Sequence, residues 1–257
     1  MSLLALCLLL LAGCAALPPG KRSPRDPWER MNRATYRFND TFDKAIARPV
    51  ARGYRRVTPH LVQTGVSNFF DNLEYPIVMV NDLLQGQFKP FLSDTGRLLL
   101  NTTVGIGGLM DPATAAGLEK NDRDFGQTLG KWGARTGPYL VIPFLGPSDL
   151  RDAVGRVGDE YCNPRHYIRN SYVDYGLWLV RAIDRRARLL DAQSALDSAY
   201  DPYAFLRNAY LQHRDFKVNG GQSLDEEQRE QKLLEESGED PQMPEGASPP
   251  PQAPPPH

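Results

Sequence analysis

Residues that carry covalent chemistry are scarce here. Four histidines, His60, His166, His213 and His257, are scattered through the chain. Cys162 and His166 stand four apart, but two ligands without a second pair make a poor metal site, so no metal is expected. No G-x-S-x-G nucleophile elbow occurs. Gly105-Ile106-Gly107-Gly108 falls short of a G-x-G-x-x-G fingerprint because position 110 is Met. Beyond the N-terminus no apolar run reaches the roughly 18 residues of a spanning helix. These absences argue against a serine hydrolase, a nucleotide enzyme and a conventional transmembrane protein. Neither catalytic residues nor a cofactor are expected.

The formal net charge of −1 hides a gradient. From Ser223 onward nine acidic residues meet two basic ones, leaving the rest mildly basic. A basic body suits anionic head groups, and no nucleic-acid partner is expected. Eight prolines follow from Pro241. Nothing in 222–257 can bury a core, so this stretch reads as a disordered acidic and Pro-rich tail, with room for a short polar helix near Leu224–Glu236.

At the other end, the short apolar run Leu3–Leu11 reads as a signal-peptide core, although Met1-Ser2 brings no Lys or Arg before it. It runs into Leu11-Ala12-Gly13-Cys14, which resembles the bacterial lipoprotein cleavage box. Residues 1–13 are thus expected to be removed and Cys14 to carry the lipid. Ala15 in place of Asp resembles the outer-membrane address. Cys7 leaves with the signal, so Cys162 has no disulfide partner and is expected to be a buried, inert thiol. Residues 14–25 form a Pro-rich basic tether.

Asp26, Pro27 and Glu29 then read as N-cap, first turn and capping-box partner of a helix. Trp28, Met31, Thr35, Phe38, Phe42 and Ala45 recur every three or four residues as one aromatic-rich face. That face either packs on a soluble core or lies in a membrane interface. Pro49 and Pro59 punctuate the next segment, around Arg52, Arg55 and Arg56. A helical period runs from Leu61 to Leu73. Pro76 is expected in the first turn of a new helix, apolar nearly all round, buried in protein or lipid. Asp71, Glu74, Asp82 and Asp94 are carboxylates that pair in space or are merely solvated.

Nine glycines fall between Arg97 and Asp152, too many for one long helix. Gly105, Gly107, Gly108 and Asp111 mark a loop after an apolar helix, expected to be mobile and a candidate gate. Gly126, Gly130 and Gly133, at i, i+4 and i+7, form a candidate close-packing face. Gly137-Pro138 and Gly146-Pro147 bracket the apolar Tyr139–Leu145. Pro147 or Ser148 opens a helix through Leu150, Val154 and Val157. Residues 172–190 form another, with Val173, Leu177, Val180, Ile183 or Asp184, and Ala187 on one side. Arg181, Arg185, Arg186 and Arg188 crowd its end and read as a solvated basic face. Asp201-Pro202 starts the last helix.

Several of these segments together resemble the MlaA (VacJ) family of outer-membrane lipoproteins. They are DPWERMNRATYRFNDTFD (26–43), RPVARGYRRVTP (48–59), SNFFDNLEYPIVMVNDLLQG (67–86), RLLLNTTVGIGGLMDPA (97–113), DFGQTLGKWGARTGPYLVIPFLGPSDLRD (124–152) and DPYAFLRNAYLQHR (201–214). Residues 155–195 match less well. The resemblance implies an all-α domain over 26–221, a ring-like assembly of amphipathic helices lying in the membrane plane, with Gly-rich loops. It implies a lipid-anchored protein on the periplasmic side of the outer membrane. It further implies phospholipid as cargo, an amphipathic channel, a trimeric porin partner and a soluble periplasmic lipid carrier. A lipid-acting hydrolase and a purely structural tether are the alternatives.

Overall fold

The computed structural model describes residues 23–219. The expected signal peptide, Cys14, nearly all of the expected tether and the acidic stretch 222–257 lie outside the described residues. The chain is helical: α1 (Glu29–Phe42), a π-helical turn (Asp43–Ala47), α2 (Arg48–Val57), α3 (His60–Leu84), α4 (Phe88–Thr103), α5 (Pro112–Ala115), α6 (Phe125–Lys131), α7 (Leu150–Cys162), a 3-10 turn (Pro164–Tyr167), α8 (Ser171–Arg188), α9 (Gln193–Ser198) and α10 (Pro202–Val218).

One small sheet, not expected from the sequence, interrupts them. β1 (Tyr139–Ile142) and β2 (Gly146–Asp149) form an antiparallel hairpin with Ile142 opposite Gly146. Positive φ at Phe144 (63°) and Gly146 (81°) turns the chain. The outer edge of β1 would offer unpaired backbone groups, and α1 covers it with two asparagines one heptad apart. Asn32 donates to the Tyr139 carbonyl at 2.9 Å and accepts from the Val141 N–H at 2.9 Å. Asn39 does the same for Ile142 and Phe144 at 3.0 and 2.8 Å.

Two helix boundaries differ from expectation. Asp26 does not cap α1, which starts at Glu29 after Trp28. Its carboxylate is fully buried instead, accepting from Asn32, Tyr203 and Arg207. Those three partners offset the cost of taking its charge out of water. Nor does Pro76 open a helix: it sits inside α3, which runs unbroken for 25 residues, or about 37 Å. The ring deprives the Asn72 carbonyl of its helical donor, and packing of α3 against α4 and α8 carries the helix across that gap. Pro49, by contrast, follows the π turn, whose wider winding makes room for its ring.

Burial is inverted. Among the described residues nineteen polar or charged side chains are buried against nine hydrophobic ones, while thirty-six large hydrophobic side chains are exposed. A water-soluble domain has the reverse pattern. All three tryptophans, Trp28, Trp132 and Trp178, are among the exposed. In the aromatic stripe at α1, Trp28, Met31 and Phe38 are 41–50% exposed, while Phe38 and Phe42 meet the Phe144 ring of the hairpin edge-on at 5.1 Å. A small apolar cluster of Tyr139, Val141, Tyr203 and Leu211, with Tyr36 and Tyr210 against it, sits where α1, α10 and the hairpin meet. Elsewhere the interior is rich in ion pairs and side-chain hydrogen bonds.

No helix among the described residues is long and apolar enough to cross a membrane.

Candidate functional site: a polar groove between two helices

His60, Thr64, Ser67, Asp71 and Glu74 recur along α3 at spacings of four and three. On a helix that repeat is a straight stripe. It faces two clefts. One, of about 410 Å³, is lined by Asp71, Glu74, Tyr75 and Val78 of α3, Arg181, Arg185 and Arg188 of α8, Leu189, and Lys120 to Asp122. The other, of about 550 Å³, is lined by Arg55, Thr58, His60, Gln63, Thr64 and Ser67 on one side and Asp184, Ala187, Arg188 and Asp191 on the other. Arg188 lines both, so they meet at its side chain.

Charges of both signs pair across this groove. Arg181 pairs with Glu74 and lies 5.4 Å over the Phe70 ring. Arg188 spans Asp184 at 3.3 Å and Asp71 at 3.8 Å. Lys120 holds Asp71 at 2.6 Å, and the Ser67 hydroxyl donates to Asp184 at 3.0 Å. Burial pushes the Glu74 carboxyl above the usual carboxylate range, with Arg181 opposing. Burial also lowers the Arg181 guanidinium, with Glu74 opposing. Two of the four arginines expected on a solvated face are therefore inward: Arg181 is buried in the groove, and Arg186 binds Asp43 bidentately with oxygens at 2.5 and 2.9 Å.

The other carboxylates split by position. Asp71 and Glu74 line the groove. Asp82 and Asp94 are fully buried and face one another. Arg123 pairs with Asp82, and Asn121 donates to Asp94 at 2.9 Å. Burial, with Asp82 beside it, pushes the Asp94 carboxyl up to about 6.

The candidate gate residues lie at the C-terminal end of α4. Ile106, Gly107 and Gly108 take φ of 54°, 68° and 91°. Gly107 donates its N–H to the Thr102 carbonyl and Gly108 to that of Asn101, at 3.0 and 2.8 Å. Gly108 lies against Asn72 of α3, where a Cβ would come within 2.6 Å of the Asn72 Cβ. Asp111 caps α5 through the Thr114 N–H. It also binds both the Nη2 of Arg97, at 2.7 and 2.9 Å, and the Asn101 amide at 3.1 Å. Burial opposes its charge, but these hydrogen bonds and Arg97 hold its pKa below the ordinary carboxylate value.

Gly126 and Gly130 lie in α6, but Gly133 does not. α6 ends at Lys131, and Gly133 comes after it with φ 92° and nothing near its Cβ position. It terminates the helix and is no part of a packing face. Gly126 instead meets Gly155 of α7, and Gly158 meets Phe125; neither Gly155 nor Gly158 stands out in the sequence. An ionic knot sits over this contact. Arg214 of α10 binds Asp124 at 2.6 Å and also Asp152, and the Tyr210 hydroxyl donates to Asp152 at 2.5 Å. Burial raises the Asp124 carboxyl, but Arg214 and the hydrogen bonds from Gln127 together bring it down to about 2.

Cys162 is half-buried and burial raises its thiol. His166, four residues on, meets the Tyr161 ring at a tilt and the Tyr167 ring edge-on.

The family model described as "MlaA lipoprotein" matches residues 24–217. The intermembrane phospholipid transport system lipoprotein MlaA of Escherichia coli K12 is 39% identical over 226 residues, covering 86% of this chain and 90% of its own. The protein of the same name from Haemophilus influenzae is 33% identical, covering 84% and 89%. An uncharacterised protein of Rickettsia typhi is 35% identical over 195 residues, covering 75% and 78%. A solved chain described under "Structural basis for maintenance of bacterial outer membrane lipid asymmetry" superposes with a TM-score of 0.69 at 38% identity, covering 77% of this chain and 100% of that one. With the matched region spanning nearly all of the described helices and the hairpin, this chain belongs to the MlaA lipoprotein family.

Proposed function

We propose that this protein is a passive phospholipid conduit that takes mislocalised phospholipid from the outer leaflet of the outer membrane and delivers it toward the periplasm. The observation that carries the reading is the pairing of an apolar exterior with a polar groove between α3 and α8. Helices lying sideways satisfy their own backbone hydrogen bonds in lipid, and the exposed aromatics rest among acyl chains. A charged phosphate crossing hydrocarbon unaided pays a large desolvation penalty. The groove offers it arginines, a lysine and hydroxyls, while its acyl chains stay in the apolar surround. No bond is made or broken on the way, so the proposal needs no catalytic residue.

The relatives named as components of an intermembrane phospholipid transport system support this cargo. In the same reading Cys14 anchors the chain on the periplasmic side of the outer membrane. A trimeric porin holds the ring of helices there, and a soluble periplasmic carrier receives the lipid. Direction then comes from those downstream partners.

The test is covalent labelling of surface-exposed phospholipid in a deletion strain, a complemented strain and a strain carrying Ser67→Trp. That indole would fill the groove beside Arg188. The expected result is high labelling in the deletion, low labelling with wild type, and high labelling with Ser67→Trp despite normal protein levels. Equal labelling in deletion and complemented strains would falsify the transport role. A tether alone would be indifferent to Ser67→Trp.

A further inference from the structure

We propose that the cleft between Glu74 and Arg188 is a receptor for the phosphodiester of a glycerophospholipid, with Arg181 and Arg185 as its donors. This names the part of the cargo that the groove grips, and so rests on the transport reading above.

Arg181 is 8% exposed and fixed on two sides, by the Phe70 ring beneath it and by Glu74. Its Nη1 is buried with no hydrogen-bond partner among the described residues. A buried donor left unmade is costly, and with Nη2 already paired to Glu74 it is Nη1 that has a charge-assisted hydrogen bond to offer a phosphate oxygen. Arg185, one turn along α8, lines the same cleft, is exposed, and has no ion-pair partner among the described residues.

The charge of the lining agrees. Lys120, Arg181, Arg185 and Arg188 face Asp71, Glu74 and Asp122, an excess of one positive charge. A phosphodiester carries one negative charge. The carboxylates limit how tightly an anion is held, and a conduit needs its cargo to leave as well as enter.

Inorganic phosphate shares this chemistry, but the shape favours the lipid. The cleft, at about 410 Å³, is several times larger than a phosphate ion, and Val78 and Leu189 line it beside the arginines. Those apolar walls suit the glycerol and first methylenes of a lipid.

The experiment is calorimetric titration of the full chain, purified in a neutral detergent, with dihexanoyl phosphatidylglycerol and separately with sodium phosphate. Wild type is compared with Arg185→Gln and with Arg56→Gln, an exposed arginine outside the groove. The lipid should bind wild type and Arg56→Gln alike, and Arg185→Gln about tenfold more weakly, the scale of one charge-assisted hydrogen bond. Sodium phosphate should bind much more weakly than the lipid. Absence of lipid binding, equal lipid affinity in Arg185→Gln, or phosphate binding as tight as the lipid each overturns the head-group site. The transport reading stands or falls separately, on the surface labelling of deletion and complemented strains.

Discussion

Gly155 of α7 lies so close beneath Gly126 of α6 that a Cβ on Gly155 would sit 2.4 Å from the Gly126 nitrogen. Backbone meets backbone there, with the Arg214–Asp152 pair directly above. Gly155→Ala should therefore destabilise the fold by about 3 kcal/mol, the upper end of ordinary overpacking, because no flexible side chain can yield. Gly176→Ala in α8 is the contrast. Nothing lies within 4 Å of its Cβ position, and an alanine in a helix interior gains about 0.5–1 kcal/mol over glycine. Thermal melting of the two variants in the same detergent should move in opposite directions.

Arg97 and Asp111 set the stability of the candidate gate. The Arg97 side chain is 1% exposed and donates to the Tyr75 hydroxyl, the Leu118 carbonyl and Asp111. Asp111→Ala leaves that guanidinium buried without its counter-charge, a loss of about 3–5 kcal/mol. The loss should appear first as faster amide exchange at Gly107 and Gly108, whose N–H groups bond to the end of α4 beside this pair. A disulfide joining the loop to α3 should have the opposite effect on exchange. If the loop gates the groove, that cross-link should also raise surface-exposed phospholipid; transport at the wild-type rate in the folded, cross-linked protein would rule out gating.

How much of this is readable in the sequence varies with the physics behind each element. Helical periodicity locates most helices because it reports a face, whatever that face touches. It does not report which side of the face is inside the protein. The stripe Trp28–Met31–Phe38 is legible as a stripe, but only the exposure of those side chains decides what surrounds it. The groove is hard to find because its residues are separated in sequence, yet a signal exists: His60, Thr64, Ser67, Asp71 and Glu74 keep a 4-3-4-3 polar repeat on a helix otherwise rich in Val, Leu and Phe. The hairpin has no comparable signal. Its strands are four residues each, and their edge is satisfied by Asn32 and Asn39, more than a hundred residues away. Gly133 groups with Gly126 and Gly130 by spacing alone, which cannot show that α6 ends at Lys131.

Acidity should stabilise this protein through Asp94. Its folded pKa, about 6, lies above the ordinary value of 3.8. The folded state therefore binds the proton more tightly, and that stabilisation is complete below the ordinary value and lost as the pH rises through about 6. Asp94→Asn supplies a permanent donor toward Asp82 and keeps an oxygen for Asn121. The variant should melt higher than wild type at pH 7.5 and show a smaller fall in melting temperature between pH 4.5 and 7. An unchanged slope would mean that the shared proton does not lie between Asp82 and Asp94.

The inverted burial makes the most direct prediction. Phe88, Leu92 and Leu99 of α4 are 60–68% exposed, and each fully buried side chain of this size contributes about 1.5–3 kcal/mol when it leaves water. In a soluble protein Leu92→Lys would be close to neutral. Here it should leave the fold intact, because Leu92 touches little of the protein, yet weaken insertion by roughly 2–3 kcal/mol if the position lies deep in the hydrocarbon. The three exposed tryptophans provide the readout, since Trp28, Trp132 and Trp178 are 41%, 58% and 49% exposed and on different elements. Reconstituted into vesicles with brominated acyl chains, the wild type should lose most of its tryptophan fluorescence, because a ring of sideways helices would put all three within reach of lipid. Leu92→Lys should show weaker quenching at the same lipid ratio, with an unchanged circular dichroism spectrum. Tryptophans that stay bright in brominated lipid would instead place the apolar surface against protein partners and leave the membrane-plane arrangement without support.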